Sequence, residues 1–338
     1  MAISNALLST TLYSIRDKEV DELFKKTAFL DGVKQAGGIE TESGGIKIQR
    51  PLSVYEHSTI TSFSSGYEPV SLAVADTMVP AVYDWAYFNA PIVINELEES
   101  RNSGEKAIVK ILEARMRNVM GMLRRDLNGQ ILAGGSATLG DLNTLNGEAS
   151  ASGFLENGTP DAANQTNTVG GQNKATLNVR GWFNQRQTAG SAFGTAGLPA
   201  MNQIYADTND VALMGECGLI IASKAAFVNY KRSLQANERY VDSKVLDGGR
   251  MALAFAGAML EADSARPANT GVGTDEYSMY FLNFEGIKLV MMDGYDFALS
   301  PFIDIPGTIG RSARLQWQGQ LIADHLGSQG VLVDGDTF

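Results

Sequence analysis

The chain is poor in the residues from which most catalytic and metal sites are built. Its 338 residues include one cysteine, Cys217, and two histidines, His57 and His325. A single cysteine excludes an internal disulfide and a cluster of thiolate ligands, and this usage is typical of a reducing cytosol. Neither histidine lies in a metal-binding spacing, and the chain has no Walker loop and no Gly-x-Ser-x-Gly turn. An α/β enzyme or ligand binder is therefore the class that the sequence favours least.

Positive charge is also scarce. The chain has 27 basic and 38 acidic residues, for a net charge of −11. Proteins that grip nucleic acid normally carry a basic patch. The densest basic group comprises Arg115, Arg117, Arg124 and Arg125. We expect these arginines to be solvated or paired with Glu113 and Asp126, whereas an acidic surface lets a protein lie beside DNA without adhering to it.

Long uncharged apolar runs are missing as well. Charged residues interrupt every turn of the longest helical stretch, residues 104–133, and no later apolar run is long enough to span a membrane, so the sequence predicts no transmembrane span. The first twenty residues lack the basic start and the continuous apolar core of a signal peptide. We therefore expect no contact with a membrane.

The chain does contain one long amphipathic stretch, residues 104–133. Its apolar stripe consists of Ile108, Leu112, Met116, Val119, Leu123, Leu127 and Ile131. This spacing predicts a single helix of about 45 Å, with Asn102 or Ser103 as its N-cap and Gly134–Gly135 as its end. We expect the stripe to be buried. The methionines Met116, Met120 and Met122 are expected to be core residues.

The segments before this helix predict an arm and a hairpin. In residues 1–44 a weakly amphipathic stretch, Val20–Val33, precedes two Gly-Gly pairs, and we expect this arm to lie on its own body or on a neighbouring chain. Residues 45–92 contain two strand-like stretches around a polar segment, residues 58–69, which predicts a long hairpin. Because an isolated hairpin is marginally stable, we expect it to serve assembly more than folding.

The segments after the helix predict an insertion, an α/β region and a last strand. Residues 135–173 are rich in Gly and Asn and lack Lys and Arg from Ser136 onwards, which predicts a surface loop that buries little apolar area. Residues 174–298 alternate strands and helices, with Ser223 as an N-cap. In the last strand Leu315, Trp317 and Leu321 alternate with Arg314, Gln316, Gln318 and Gln320, which predicts one buried and one wet face.

Few residues are candidates for chemistry. His325 lies beside Asp324, but neighbours on a strand point to opposite faces, so we expect a structural or surface role. An acidic group, Glu96, Glu98 and Glu99, is interpreted as a solvated helix start rather than a cation site. Cys217 is interpreted as a small buried residue. The sequence therefore predicts no catalytic, cofactor-binding or metal-binding residue.

The order of these segments resembles the major capsid protein of tailed bacteriophages, with its Hong Kong 97-like fold. The best-matched stretch is Tyr83–Leu112, which is similar to the extended hairpin (E-loop) running into the spine helix of such proteins. GLIIASKAAFVNYKRSL with RYVDSKVLDGG looks like the axial domain, and ARLQWQGQLIADHLGSQGVLVD is similar to the last peripheral strand. None of these is a short diagnostic motif, so the likeness depends on order and spacing over nearly the whole chain.

The resemblance implies an α+β fold with six parts. These are an N-terminal arm (1–44), the extended β-hairpin (45–92), a peripheral domain (93–180) with spine helix 104–133 and insertion 135–173, an axial α/β domain (181–298), a returning peripheral strand (299–328) and a C-terminal return to the axial domain (329–338).

The resemblance also implies a function. The expected protein self-assembles as hexamers and pentamers into the icosahedral head of a virion, built in the host cytoplasm around double-stranded DNA. A portal protein and a cement protein are expected partners. No long coiled-coil segment precedes the arm, so a separate scaffolding protein or prior cleavage is implied. An encapsulin-like shell for protein cargo shares the fold and is the alternative, although the insertion and the long hairpin favour the virus.

Some relatives link their subunits covalently through a hairpin lysine and an asparagine. The only lysine in residues 45–92 is Lys47, at the base of the predicted hairpin. We therefore expect no covalent link between subunits.

Overall fold

The protein is described by a computed structural model that covers residues 16, 19–20, 27–53, 66, 78–95, 105–133, 139–143, 153–190, 192–210, 215–236, 244–245, 251–263, 265 and 277–334. One long helix and two sheets make up most of this part. None of its helices is both long enough and apolar enough to cross a membrane.

The helices and the strands of the described part are each numbered in chain order. The helices are α1 (Ala28–Gln35), α2 (Glu105–Ala133), α3 (Lys174–Leu177), α4 (Leu198–Asp210) and α5 (Lys224–Ala236). The first strands are β1 (Ile39–Glu42), β2 (Lys47–Ser53), β3 (Met78–Asp84), β4 (Ala86–Asn95), β5 (Asp141–Asn143), β6 (Gly153–Leu155), β7 (Thr168–Val169), β8 (Gln172–Asn173) and β9 (Gln185–Thr188). The later strands are β10 (Leu219–Ala222), β11 (Lys244–Val245), β12 (Met251–Phe255), β13 (Ala258–Ala262), β14 (Tyr277–Leu282), β15 (Ile287–Met292), β16 (Ala298–Leu299), β17 (Ile303–Asp304), β18 (Gly310–Ala323) and β19 (Gly330–Val333).

The helix predicted over 104–133 is present as α2 and lies against β4. Its predicted stripe is buried at Leu112, Met116, Leu123, Leu127 and Ile131 and partly buried at Val119. The side chain of Ile108 and the predicted cap residues lie outside the described residues. Met120 is also buried, but the prediction for Met122 is wrong. Met122 is 50% exposed, because its position is turned about 100° from the stripe residue Leu123.

The first sheet has six strands and is organised around β18. This strand pairs antiparallel with β4, β15, β16 and β17, and β1 joins β15 in parallel. On its inner face Trp317 packs edge-on against Phe88, with ring centroids 5.5 Å apart. The predicted alternation is confirmed over residues 314–318. It is wrong at Gln320, which is buried because its amide donates to the Asp84 carbonyl (2.6 Å) and accepts from the Gly140 N–H (2.7 Å).

The second sheet has seven strands, in the order β11-β12-β13-β10-β14-β19-β9. Helices α4 and α5 contribute Met201, Ile204 and Tyr230 to a second apolar cluster with residues of this sheet. The Ser223 cap is confirmed, since its hydroxyl accepts the Ala226 N–H at 3.1 Å. One assignment is corrected: β15, expected within the second α/β region, pairs with β18 and belongs to the first sheet.

The described part of the predicted arm lies on the chain's own body. Phe29 packs against Phe284 with ring centroids 5.7 Å apart, and Leu30 and Val33 are fully buried. Strand β1 then extends the first sheet beside β15. The sequence left open whether the arm lies on its own body or on a neighbouring chain, and residues 28–42 lie on their own body. Most of residues 1–26 lie outside the described residues.

The predicted hairpin is present at its base but is shorter than expected. Strands β2 and β3 pair antiparallel with Lys47 opposite Asp84. The second of the two predicted strand-like stretches is instead two strands, because the chain leaves the hairpin at Trp85 and β4 pairs with β18. The Trp85 indole N–H donates to the Gly45 carbonyl (2.9 Å) at this break. Apart from Gly66, the polar segment 58–69 lies outside the described residues.

The insertion is not the plain surface loop that its composition predicted. Its described parts bury Leu139, Leu142, Phe154, Leu155 and Val169. These apolar side chains join the main core cluster, while polar neighbours in the segment pair with backbone groups. The expectation that residues 135–173 bury little apolar area is therefore wrong for 139–142 and 153–169.

Candidate functional site

His325, the histidine candidate, has a structural role in the described part of the chain. The His325 Nδ1 accepts the Ser328 N–H at 3.2 Å, which requires an unprotonated nitrogen, and burial lowers the pKa of the imidazole. The neighbouring Asp324 carboxylate lies 3.4 Å from the Lys288 ammonium and pairs with it. An ordered, desolvated imidazole of this kind supports the turn between β18 and β19.

The remaining candidates offer no reactive cluster in the described part of the chain. Cys217 is buried, its Sγ lies 3.7 Å from the Leu219 carbonyl, and burial raises the pKa of its thiol to about 12. His57 and the acidic group Glu96, Glu98 and Glu99 lie outside the described residues. Within those residues no group of three or more His, Cys, Asp and Glu side chains is placed to hold a metal ion.

The base of the hairpin is anchored to the body of the subunit on two sides. On one side the Tyr83 hydroxyl donates to the Ala323 carbonyl (3.0 Å), and burial raises the pKa of the phenol, so the donor stays protonated. On the other side the Val82 N–H donates to the Gly170 carbonyl and the Gln172 amide donates to the Pro80 carbonyl, each at 2.8 Å. Two flanking elements therefore fix the direction in which the hairpin leaves the body.

An ionic cluster holds the outer strand of that hairpin. Arg50 on β2 pairs with Glu40 and lies 3.4 Å from Glu42, both on β1. Glu40 also accepts from the Lys288 ammonium at 2.7 Å, and the hydrogen bonds from Lys288 and Arg50 keep the pKa of Glu40 low despite its partial burial. The arm strand, the hairpin and the first sheet are thereby tied together at one point.

The outer face of the first sheet carries a row of exposed apolar side chains. Val93 on β4 and Ile303 on β17 both lie opposite Ser312 of β18, so the three residues share one face. Tyr87 on β4 extends this outer row, and Ile303 is more than 60% exposed. Ile309, in the turn before β18, is exposed to a similar extent. Exposed apolar patches of this kind mark surfaces that other proteins cover. The sequence did not reveal the row, because its members come from β4 and β17, two strands that lie far apart in the chain.

Comparison with known proteins identifies the architecture. No protein-family model matches the sequence, and no curated protein is similar to it. Among solved structures, the capsid of cyanophage A-1(L) has a TM-score of 0.64 at 15% identity, over 93% of this chain and 94% of that chain. The capsid of a native GTA particle has a TM-score of 0.54 at 9% identity, over 89% of both chains.

A shell of a different kind is also similar. The SrpI encapsulin of Synechococcus elongatus PCC 7942 has a TM-score of 0.51 at 11% identity, over 76% of this chain and 77% of that chain. The chain therefore has the Hong Kong 97-like capsid fold.

Proposed function

We propose that this protein is the major capsid subunit of a tailed phage and assembles as hexamers and pentamers into an icosahedral head around double-stranded DNA. The observation that carries the proposal is the full-length likeness to the cyanophage A-1(L) capsid, which covers 93% of this chain. The fold suggests a structural rather than a catalytic role. The expected location is the virion, after assembly in the host cytoplasm.

The geometry of the subunit supports self-assembly. The hairpin is held at its base, and two apolar side chains on it are exposed: Met78 at the far described end and Ile46 next to Lys47 at the base. The outer row leaves a second apolar surface uncovered in the single subunit. The net charge of −11 suits a wall past which packaged DNA must slide. A portal protein, a separate scaffolding protein and a cement protein are further partners that we propose on the strength of the fold.

A second candidate function is an encapsulin-like compartment for protein cargo. The likeness to the SrpI encapsulin, over 76% of this chain, is the observation that favours it. Arm, hairpin and sheets serve both kinds of shell, so the contents of the particle distinguish them.

The test is to isolate native particles containing this chain, image them by electron microscopy and analyse their contents after nuclease treatment. We expect closed shells with five-fold and six-fold clusters that protect double-stranded DNA. Shells that contain a second protein and no protected DNA would favour the encapsulin-like function. A small soluble oligomer from the same material would contradict both.

A further inference from the structure

Lys174, at the start of α3, is fully buried, which is rare for a lysine. Its ammonium Nζ donates to the Phe154 carbonyl at 2.8 Å and to Oδ1 of Asn184 at 3.2 Å. The nearer carboxylate oxygen of Glu156 lies 3.2 Å from the same nitrogen. Burial lowers the pKa of Lys174 to about 8, so the neutral, nucleophilic amine is more populated near neutral pH than in an exposed lysine.

The amide that faces this amine is held rigidly. Asn184, directly before β9, is also fully buried, and its Oδ1 accepts the Glu156 backbone N–H at 2.8 Å. Its Nδ2 donates to the Glu156 carbonyl at 2.8 Å. Gln165 fixes the backbone of Asn184, since the Gln165 amide accepts its N–H (3.0 Å) and donates to its carbonyl (2.7 Å). A backbone N–H on the amide oxygen polarises the carbonyl and stabilises negative charge on that oxygen.

The lysine nitrogen lies close to both the side-chain amide of Asn184 and the Glu156 carboxylate. Because a C=O bond is about 1.2 Å long, the amide carbon of Asn184 lies within about 4.4 Å of the lysine nitrogen. Reaction needs about 3–3.5 Å, so the lysine nitrogen must approach the amide carbon by at most about 1 Å. The Glu156 carboxylate is in contact with the ammonium and is placed to take its proton.

We propose that Lys174 and Asn184 of one subunit become joined by an isopeptide bond, with Glu156 as the proton carrier. The Lys174 nitrogen bonds to Cγ of Asn184, and the bond from Cγ to Nδ2 breaks. The lysine ammonium has three hydrogens, of which one stays on the new amide nitrogen. Glu156 transfers a second one to the departing nitrogen, which leaves as ammonia. The third protonates this ammonia to an ammonium ion. The lysine ammonium and the amide thus become a secondary amide and an ammonium ion, and no oxidant or co-reactant is required.

The bond would fasten the segment that holds the hairpin. Residues 153–173 include Gly170 and Gln172, which clamp β3, and Asn184 leads directly into β9 of the second sheet. The link lies within one subunit, so it is separate from the assembly proposed above. Its test also does not depend on that function.

Mass spectrometry of the purified full chain tests the proposal. We expect an intact mass lower than that of the sequence by one ammonia, about 17 Da. The tryptic pattern is specific, because the chain has no Lys or Arg between Arg125 and Lys174 and trypsin does not cleave after an acylated lysine. The linked protein should yield residues 126–180 joined to residues 181–186, and the free peptide GWFNQR should be missing.

Variants identify the three participants. Lys174→Arg, Asn184→Ala and Glu156→Gln should each restore the full mass and release the free peptide 181–186 or its substituted form. Asn164→Ala is the matched control, since this exposed amide lies in the same segment and bonds to Asp161 rather than to Lys174. It should keep the loss of about 17 Da.

Two results would overturn the proposal. One is a wild-type chain at its sequence mass, a measurement that does not depend on whether any variant folds. The other is a loss of ammonia together with a free 181–186 peptide, which would indicate a succinimide at an Asn-Gly pair such as Asn157–Gly158.

Discussion

At the scale of single residues, the Glu156 carboxylate organises the polar segment between α2 and β9. It accepts the Thr166 N–H at 2.8 Å and the Asn167 N–H at 2.9 Å, besides facing Lys174. Buried backbone N–H groups need hydrogen-bond acceptors, and the Glu156 carboxylate accepts two such groups here. A Gly- and Asn-rich segment can therefore be ordered and buried when its side chains replace the hydrogen bonds of regular secondary structure.

Leu123 tests whether the buried face of α2 is correctly assigned. Leu123→Ala should lower the free energy of unfolding by about 2–5 kcal/mol, because it leaves a cavity in the main core. Met122→Ala is the matched control: the neighbouring side chain is half exposed, and its loss should change the stability by less than about 0.5 kcal/mol. Urea denaturation of the unassembled subunit measures both. Equal effects of the two substitutions would show that the face is misassigned.

His325 should make the stability of the subunit depend on pH. Burial lowers the pKa of His325 in the folded chain below its ordinary value of 6.5. The unfolded chain therefore binds the proton more readily, and stability is lost as the pH falls from about 6.5 through the lower folded pKa. In His325→Asn the Oδ1 atom can still accept the Ser328 N–H but does not titrate. Thermal melts from pH 7 to pH 5 should show a shallower decline for this variant, and an unchanged decline would assign the effect to other groups.

At the scale of elements, the turn between β7 and β8 acts as a clamp on the hairpin base. Gly170 adopts a φ of +56°, and a Cβ at this position would lie 2.8 Å from the Tyr83 ring and 2.9 Å from the Ala81 Cβ. Gly171 has a similar φ of +74°, but a Cβ there would meet nothing within 4 Å. Both glycines therefore need a left-handed backbone conformation, but only Gly170 lies against β3.

This pair gives a controlled substitution experiment. Gly171→Ala should cost about 1–2 kcal/mol for the left-handed backbone alone. Gly170→Ala should cost about 1–3 kcal/mol more, because the added methyl group also displaces Tyr83. The difference between their unfolding free energies isolates the clamp. If the two variants are equally stable, the turn does not press on the hairpin.

The tip of the hairpin should serve assembly and not folding. The base is anchored through Tyr83 and the β7–β8 turn, so removal of residues 58–69 leaves those contacts in place. We expect the deletion to give a soluble subunit that melts near the wild-type temperature but forms no shells. Sedimentation and electron microscopy measure the assembly. Normal particles from the deleted chain would contradict the prediction.

These elements also show how far the sequence leads. The long helix α2 and the cap at Ser223 were predictable, because both depend on residues close together in the chain. The break at Trp85 and the placement of β15 were not, because each depends on β18, a partner distant in sequence. Lys174 gave no local signal at all, since its significance comes from Glu156 and Asn184 meeting it in three dimensions.

At the scale of the whole molecule, the two sheets share one core, and the hairpin and the outer row are exposed around it. Residues of both sheets, such as Trp317 in the first and Tyr280 in the second, belong to the same main core cluster. A rigid body with exposed extensions is suited to repeated contacts with copies of itself.

The last prediction concerns how such copies are held together. Lys47 lies opposite Asp84 at the hairpin base and forms an ion pair with it at 2.9 Å, with about half of the lysine side chain exposed. A lysine that is to form an amide with a neighbouring subunit needs a dry site and a carboxylate that takes up its proton. Lys47 and its partner Asp84 are both solvated, so the base of the hairpin does not supply that dry site.

We therefore expect particles held by burial of apolar surface, by strand pairing between subunits or by an additional cement protein, rather than by covalent bonds between subunits. Particles boiled in detergent and run on a denaturing gel should give a single band at the monomer mass of 36.2 kDa. The proposed bond between Lys174 and Asn184 leaves this band in place, because it closes a loop within one chain. A ladder of covalent oligomers would contradict the prediction, and its persistence in Lys47→Arg would place the linking lysine elsewhere on the subunit.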